Sequence, residues 1–257
     1  MLFDTHAHYD DAAFNEDRGE LLECLPKHDI EYVVNIGSGF ESVEKSIKLA
    51  ESYGYIYAAV GIHPEETAGM DEERLSWLKE KAKHPKALAV GEIGLDYYWD
   101  TPDRDIQKKW FIRQIELAKE LDKPIVIHSR DAANDTYNIL KESKVQDLGV
   151  VLHCFGYGVE LARLYLDMGF YLGIGGVVTF TNGRKLKEVV AYAPLEQLVL
   201  ETDCPYLAPV PFRGKRNSSL YLPYIAREIA SIKNIDYETV IRVTNNNAKK
   251  LYRMEGS

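Results

Sequence analysis

The feature that most constrains this chain is a repeated alternation. Eight apolar runs of strand length, at residues 1–3, 32–36, 56–60, 87–90, 125–127, 150–152, 170–174 and 198–200, are separated by stretches with helical periodicity, such as 42–53, 72–83, 105–121 and 158–168. Pro85, Pro124 and Pro194 punctuate the returns. Runs that are almost continuously apolar suit a parallel sheet covered by helices on its faces. Eight such βα units within 257 residues predict one (β/α)8 TIM barrel domain spanning residues 1–257. After the eighth run come a loop with Pro205, Pro209 and Pro211, a basic segment, and two helical stretches at 220–233 and 236–252 that are expected to close the barrel.

A barrel of this kind does its chemistry at the C-terminal ends of its strands, so the residues where each run breaks are informative. His6 and His8 share one face of an extended strand. His8 is expected to end the first strand, Glu92 the fourth, His128 the fifth, His153 the sixth and Asp203 the eighth. One such break would be ordinary, as would a lone His-x-His. Four histidines, a glutamate and an aspartate converging on one mouth instead predict a metal site. Six candidate ligands exceed the needs of one tetrahedral ion, so a pair of divalent ions about 3.5–4 Å apart is expected, with Glu92 able to bridge them. Such a pair lowers the pKa of a bound water and stabilises charge on attacking and leaving oxygens, which is hydrolytic chemistry.

Composition narrows the setting. A formal net charge of -9 argues against broad electrostatic adhesion to nucleic acid or an anionic membrane, while leaving room for a local basic site. No apolar run approaches the roughly 18 residues of a membrane span and no leader pattern is present, so a cytoplasmic protein is expected. Cys24, Cys154 and Cys204 form no C-x-x-C pair and are expected to be reduced thiols. Cys154 and Cys204 each follow a candidate ligand, and strand alternation would turn both away from the site.

At this point the chain resembles the TatD family of metal-dependent hydrolases, within the amidohydrolase-like barrels. The resemblance rests on Asp4-Thr5-His6-Ala7-His8, Gly61-Ile62-His63-Pro64, Gly91-Glu92-Ile93-Gly94-Leu95-Asp96-Tyr97, Ile127-His128-Ser129-Arg130, His153-Cys154-Phe155 and Glu201-Thr202-Asp203-Cys204-Pro205. It implies that His6, His8 and Asp203 hold one ion, that His128 and His153 serve the second, and that Glu92 lies between. It also implies a deoxyribonuclease trimming single-stranded DNA from the 3′ end, with magnesium or manganese supporting turnover, zinc being the alternative, and with Asp203 taking the proton of the attacking water. The chain departs from the common family pattern at Gly156 and at Ser218-Ser219.

Further residues carry two readings each. His63 is either a hydrogen-bonded loop histidine or a contact to the scissile phosphate and proton donor. Arg130 either pairs with Asp96 or Asp131 or binds phosphate, whose geometry its guanidinium matches. The run Arg213-Gly214-Lys215-Arg216-Asn217 is expected to bind backbone phosphate, chiefly through Arg213 and Asn217. Asp4 is a candidate hydrogen-bond partner for a liganding imidazole or a structural pairing. Tyr97, Tyr98 and Trp99 either stack on an unpaired base or pack among loops. His28 and His84 read as surface residues. The rival activities are deacylation of aminoacyl-tRNA, or of another amide or ester, at the same site, and a metal-stabilised scaffold without turnover. A monomer is expected.

Overall fold

The computed structural model describes residues 1–254. Its strands are β1 (Leu2–Ala7), β2 (Ile30–Gly37), β3 (Ile56–Val60), β4 (Ala87–Asp96), β5 (Ile125–Arg130), β6 (Val150–Leu152), β7 (Tyr171–Ile174) and β8 (Leu198–Leu200). They form one sheet in the order β1 to β8, each parallel to its neighbour. The helices are α1 (Arg18–Cys24), α2 (Phe40–Ser52), α3 (Glu72–Ala82), α4 (Arg104–Glu120), α5 (Ala133–Ser143), α6 (Val159–Asp167), α7 (Arg184–Tyr192), α8 (Leu222–Lys233) and α9 (Tyr237–Leu251). The sheet closes at the mouth, where Ala7 bridges Cys204 in parallel and the His8 amide donates to the Cys204 carbonyl at 2.8 Å. This is the (β/α)8 barrel that the alternation predicts.

Three strands run further than their apolar stretches. β1 continues through His6 to Ala7 because Ala7 pairs with Asn35 on β2, and β4 and β5 continue together, Gly94 opposite His128 and Asp96 opposite Arg130. Glu92 therefore lies within β4 rather than at its end, which falls at Asp96. The β4–β5 register shifts between Val90 and Ile93, around Glu92. Gly94 is demanded by this close pairing. Its φ is +151°, and a Cβ there would sit 1.9 Å from the His128 carbonyl oxygen.

The apolar core lies between the barrel and its helices, with Val60, Val90, Ile127, Leu152 and Leu200 buried beside Leu78, Phe111, Ile139 and Ile225. A second buried cluster, including Phe3, Val34, Ala59, Val126, Val151 and Val199, fills the barrel interior toward its N-terminal end, capped by Leu251 and Tyr252 at the end of α9. The closing role expected of the last helices is shared: α8 and α9 both contact β1 and β8, and α9 supplies the hydrogen bonds. Asn247 Nδ2 donates to the Leu195 and Leu198 carbonyls at 2.7 and 2.8 Å, Asn245 Nδ2 reaches the Met1 carbonyl at 3.1 Å, and the Tyr252 hydroxyl reaches the Thr5 carbonyl at 2.9 Å. No helix among the described residues is long and apolar enough to cross a membrane.

Candidate metal centre

The mouth of the barrel opens into a cavity of about 770 Å³ lined by His8, His63, Glu92, His128, His153 and Asp203, with Asp10, Asp96, Trp99 and Arg130 around them. The seam between first and last strands brings the outermost ligands together. Asp203 takes a positive φ of 56° just past β8, and its amide donates to the His6 carbonyl at 2.9 Å. His6 Nε2 then stands 3.1 Å from His8 Nε2, and Asp203 Oδ1 lies 3.7 and 3.4 Å from those same two nitrogens.

Contacts on the outer nitrogens decide which ring nitrogens face inward. His8 Nδ1 lies 3.1 Å from the Ile36 carbonyl, an acceptor only, so Nδ1 carries a proton and Nε2 is the nitrogen turned toward Asp203. His128 is hydrogen-bonded through both ring nitrogens, Nε2 to Asp96 Oδ2 at 3.0 Å and Nδ1 to Glu92 Oε1 at 2.8 Å. His153 Nδ1 stands 3.2 Å from Glu201 Oε1, an ion-pair approach without hydrogen-bond geometry, and Nε2 lies toward Glu92 Oε1 at 3.6 Å. An acceptor thus stands behind each of three imidazoles and turns its other ring nitrogen into the cavity, the arrangement that orients histidine ligands of metals. His6 is held differently: its ring stacks on that of His153 with centroids 3.5 Å apart, and its buried Nδ1 has no hydrogen-bond partner among the described residues.

Glu92 joins the two groups. Its Oε2 faces His6 Nε2 at 3.5 Å, while Oε1 faces His128 and His153. The nitrogen and carboxylate donors, His6, His8 and Asp203 on one side and His128, His153 and Glu92 on the other, suit a divalent cation of hard or borderline character.

The electrostatics call for positive charge. Burial opposes protonation of His8, yet the hydrogen bond and field of Asp203 outweigh it and lift the pKa to about 9. At His153 burial is likewise overcome, by Glu201, Glu92 and Asp203, and the pKa rises to about 10. Burial pushes the Asp203 carboxyl up, but His153 and His8 hold it below the usual carboxylate range. His63 goes the other way, driven down to about 3 by burial and by His128.

Two carboxylates of the centre escape a reading of strand ends. Asp96 accepts from His128 through Oδ2 and from the Tyr98 and Trp99 amides through Oδ1, at 2.9 and 3.2 Å, so one side chain fixes both an imidazole and the loop after β4. Glu201, 1 % exposed, accepts from the Cys154 amide at 2.6 Å beside its contact with His153, and its Oε2 has no hydrogen-bond partner among the described residues. A side chain at residue 173 would occupy its place, since a Cβ on Gly173 would fall 2.2 Å from Glu201 Oε2. Asp4 is structural: its carboxylate accepts from Thr202 and Ser219, tying β1 to the segment after β8.

The other expected site residues separate. His63 lies in the cavity wall, its ring 4.3 Å from that of His128, with Nδ1 accepting from the Glu65 amide at 3.3 Å. Arg130 also faces the cavity. Its guanidinium lies 3.8 Å over the Tyr98 ring, and among the described residues it has no ion pair with Asp96 or Asp131. Trp99 lines the rim and is 58 % exposed, whereas the Tyr97 hydroxyl is bonded to Asp135 and packs structurally.

The basic run behaves differently from expectation. Asn217 is fully buried, its Nδ2 donating to the Thr202 and Tyr206 carbonyls and its Oδ1 accepting from the Ser218 amide, so its amide holds the loop together and is not presented to a phosphate. Arg216 is paired with Asp17, and Arg213 lies over the Phe180 ring, outside the cavity lining. Cys204 is buried away from the site, as alternation requires. Cys154 is not: a φ of +43° ends the extended geometry after His153, and Sγ comes within 4.8 Å of ligand atoms of both His153 and Asp203.

Comparison with known proteins now decides the family. The profile of the family described as TatD related DNase matches residues 3–253. The chain belongs to the TatD family of metal-dependent hydrolases. It is 45 % identical over 254 residues to a protein of Bacillus subtilis (strain 168) named uncharacterized metal-dependent hydrolase YabD, covering 99 % of this chain and all of that protein. It is 30 % identical to a protein of Rahnella sp. (strain Y9602) named 3′-5′ ssDNA/RNA exonuclease TatD, covering 98 % of each. Among solved structures, the TatD homologue YJJV of Escherichia coli K12 superposes with a TM-score of 0.92 at 28 % identity, covering 98 % of each chain. The TatD assignment fits the donor set: a metal-dependent hydrolase requires residues able to hold metal, and the barrel mouth supplies them.

Proposed function

We propose that this chain is a deoxyribonuclease that removes nucleotides from the 3′ end of single-stranded DNA, using a pair of divalent cations, magnesium or manganese. The observation that carries the reading is Glu92, whose two oxygens face separate groups of imidazoles from the floor of the cavity. The Rahnella relative named as a ssDNA/RNA exonuclease supports the substrate class. His6, His8 and Asp203 would hold one cation and His128 and His153 the other, with Glu92 between them. When bound, paired cations lower the pKa of an attacking water and offset charge on the phosphodiester oxygens.

The chain's own residues account for the rest. Asp203, kept ionised among histidines, accepts the proton of the water. His63 is neutral, and since Nδ1 accepts from the Glu65 amide its proton sits on Nε2, from which it donates a hydrogen bond to a phosphoryl oxygen. Arg130, free of a carboxylate partner among the described residues, binds a phosphate through its planar guanidinium. Trp99 offers an exposed ring face at the rim for an unpaired base. Arg213 and Lys215, both exposed and without a carboxylate partner among the described residues, are the members of the basic run left to meet the phosphate backbone. The cavity is otherwise acidic, with Asp10, Asp11, Glu65 and Glu66 at its edge, so a polyanion enters only if cations offset them.

The test is a substrate panel. Metal-stripped protein reloaded with Mg²⁺ or Mn²⁺ is given 3′-labelled single-stranded DNA, duplex DNA, RNA and an aminoacyl ester. Release of labelled mononucleotide from single-stranded DNA, abolished by EDTA, is expected. Turnover of the acyl substrate with no nucleotide release would transfer the site to the deacylase reading.

A further inference from the structure

Cys154 stands apart from the oxygen and nitrogen donors of the mouth. The residue directly follows His153, and in an unbroken strand it would point away from it. The positive φ of 43° at Cys154 breaks that alternation, and the Glu201 carboxylate holds its amide at 2.6 Å. As a result Sγ, an imidazole nitrogen of His153 and a carboxylate oxygen of Asp203 all lie within 4.8 Å of one another, close enough to meet on one ion. The thiol is partly buried and forms no disulfide.

We infer that His153, Cys154 and Asp203 form a binding site for thiophilic divalent cations, of the zinc and cadmium class, overlapping the centre proposed for magnesium or manganese. Hard cations take oxygen ligands and leave a thiol aside, whereas zinc, cadmium and cobalt bind sulfur well. A thiophilic cation entering the mouth therefore recruits Sγ as thiolate, the thiol proton passing to solvent, and draws in His153 and Asp203 as its other ligands. Both residues are needed elsewhere when the centre works: His153 beside Glu92, and Asp203 as proton acceptor. The thiol thus gives the mouth a second mode of metal binding, tighter for soft cations and unsuited to turnover. The inference rests on the reading of this mouth as a metal centre, and not on the nature of the substrate.

The experiment is spectroscopic. Metal-stripped full-length protein is titrated with Co²⁺, and the sulfur-to-cobalt charge-transfer band in the near ultraviolet is recorded beside the visible d–d bands. The wild type is expected to show both. Cys154→Ser is expected to keep the d–d bands, lose the charge-transfer band, and bind Zn²⁺ and Cd²⁺ at least about tenfold more weakly, with Mg²⁺ affinity left where it was. Cys24→Ser and Cys204→Ser are expected to keep the charge-transfer band, and circular dichroism checks that each variant is folded. Visible bands without charge transfer in the wild type, or charge transfer that survives Cys154→Ser, would overturn the thiol's role while leaving the metal centre intact. Absence of any cobalt spectrum would overturn both.

Discussion

Each histidine of the centre is useful because of what stands behind it. Ile36, Asp96 and Glu201 stand behind the outer nitrogens of His8, His128 and His153, so the inner nitrogens face the cavity. Asp96→Asn and Glu201→Gln each replace a carboxylate side chain behind an imidazole by an amide, and each is expected to weaken Mn²⁺ binding by about 10–100-fold, measured by calorimetry. Asp203→Asn removes the proton acceptor and a ligand together, and nucleotide release is expected to fall by about 10²–10⁴-fold or more. The same field predicts a pH dependence. With pKa values near 9 and 10, His8 and His153 hold protons at neutral pH in the metal-free protein. A cation must displace them, so binding releases a proton from each, and affinity rises with pH up to those values and falls below them. Calorimetry in buffers of different ionisation enthalpy measures that release. At this scale the sequence was readable where an apolar run breaks into a metal-capable residue that lines the cavity, as at His128 and Asp203. Glu201 was not legible, because it reads as the polar end of β8, and Asp96 entered only as a pairing partner for Arg130.

Elements position these side chains through register, and register is where a reading from apolar runs stops short. β4 and β5 run on past their apolar stretches because each pairs with the other, which sets Glu92 inside a strand and not at its tip. The parity argument fails at Cys154 for a related reason: it assumes extended backbone, and the strand has ended. The run from Arg213 to Asn217 reads as a solvated basic loop, yet Asn217 is buried against the carbonyls of Thr202 and Tyr206, a use that charge and exposure do not announce. Register also carries a cost for substitution. Gly94→Ala brings a methyl group to the His128 carbonyl at a backbone angle that L-residues rarely adopt, and is expected to destabilise the fold on the order of 3 kcal/mol in urea unfolding. Asn247→Ala strips two buried carbonyls of their donor and is expected to cost about 1–3 kcal/mol in the same assay, without altering metal affinity.

At the scale of the whole molecule, eight βα units deliver donors from five strands to one mouth, and α9 braces the opposite end where β8 meets β1. That architecture was plain from the alternation, since strand-length apolar runs and helical stretches repeat at the spacing a barrel needs. The acid-rich centre ties stability to its cations: carboxylates crowded at one mouth repel one another until positive charge offsets them. Metal at about 100 times its dissociation constant is expected to add about 2.7 kcal/mol, read as a rise in melting temperature that EDTA reverses. The most direct test of the central claim is anomalous scattering from crystals grown with Mn²⁺. Two peaks are expected, one among His6, His8 and Asp203 and one beside His128 and His153, both in contact with Glu92. A single peak, or two that do not share Glu92, would contradict the account.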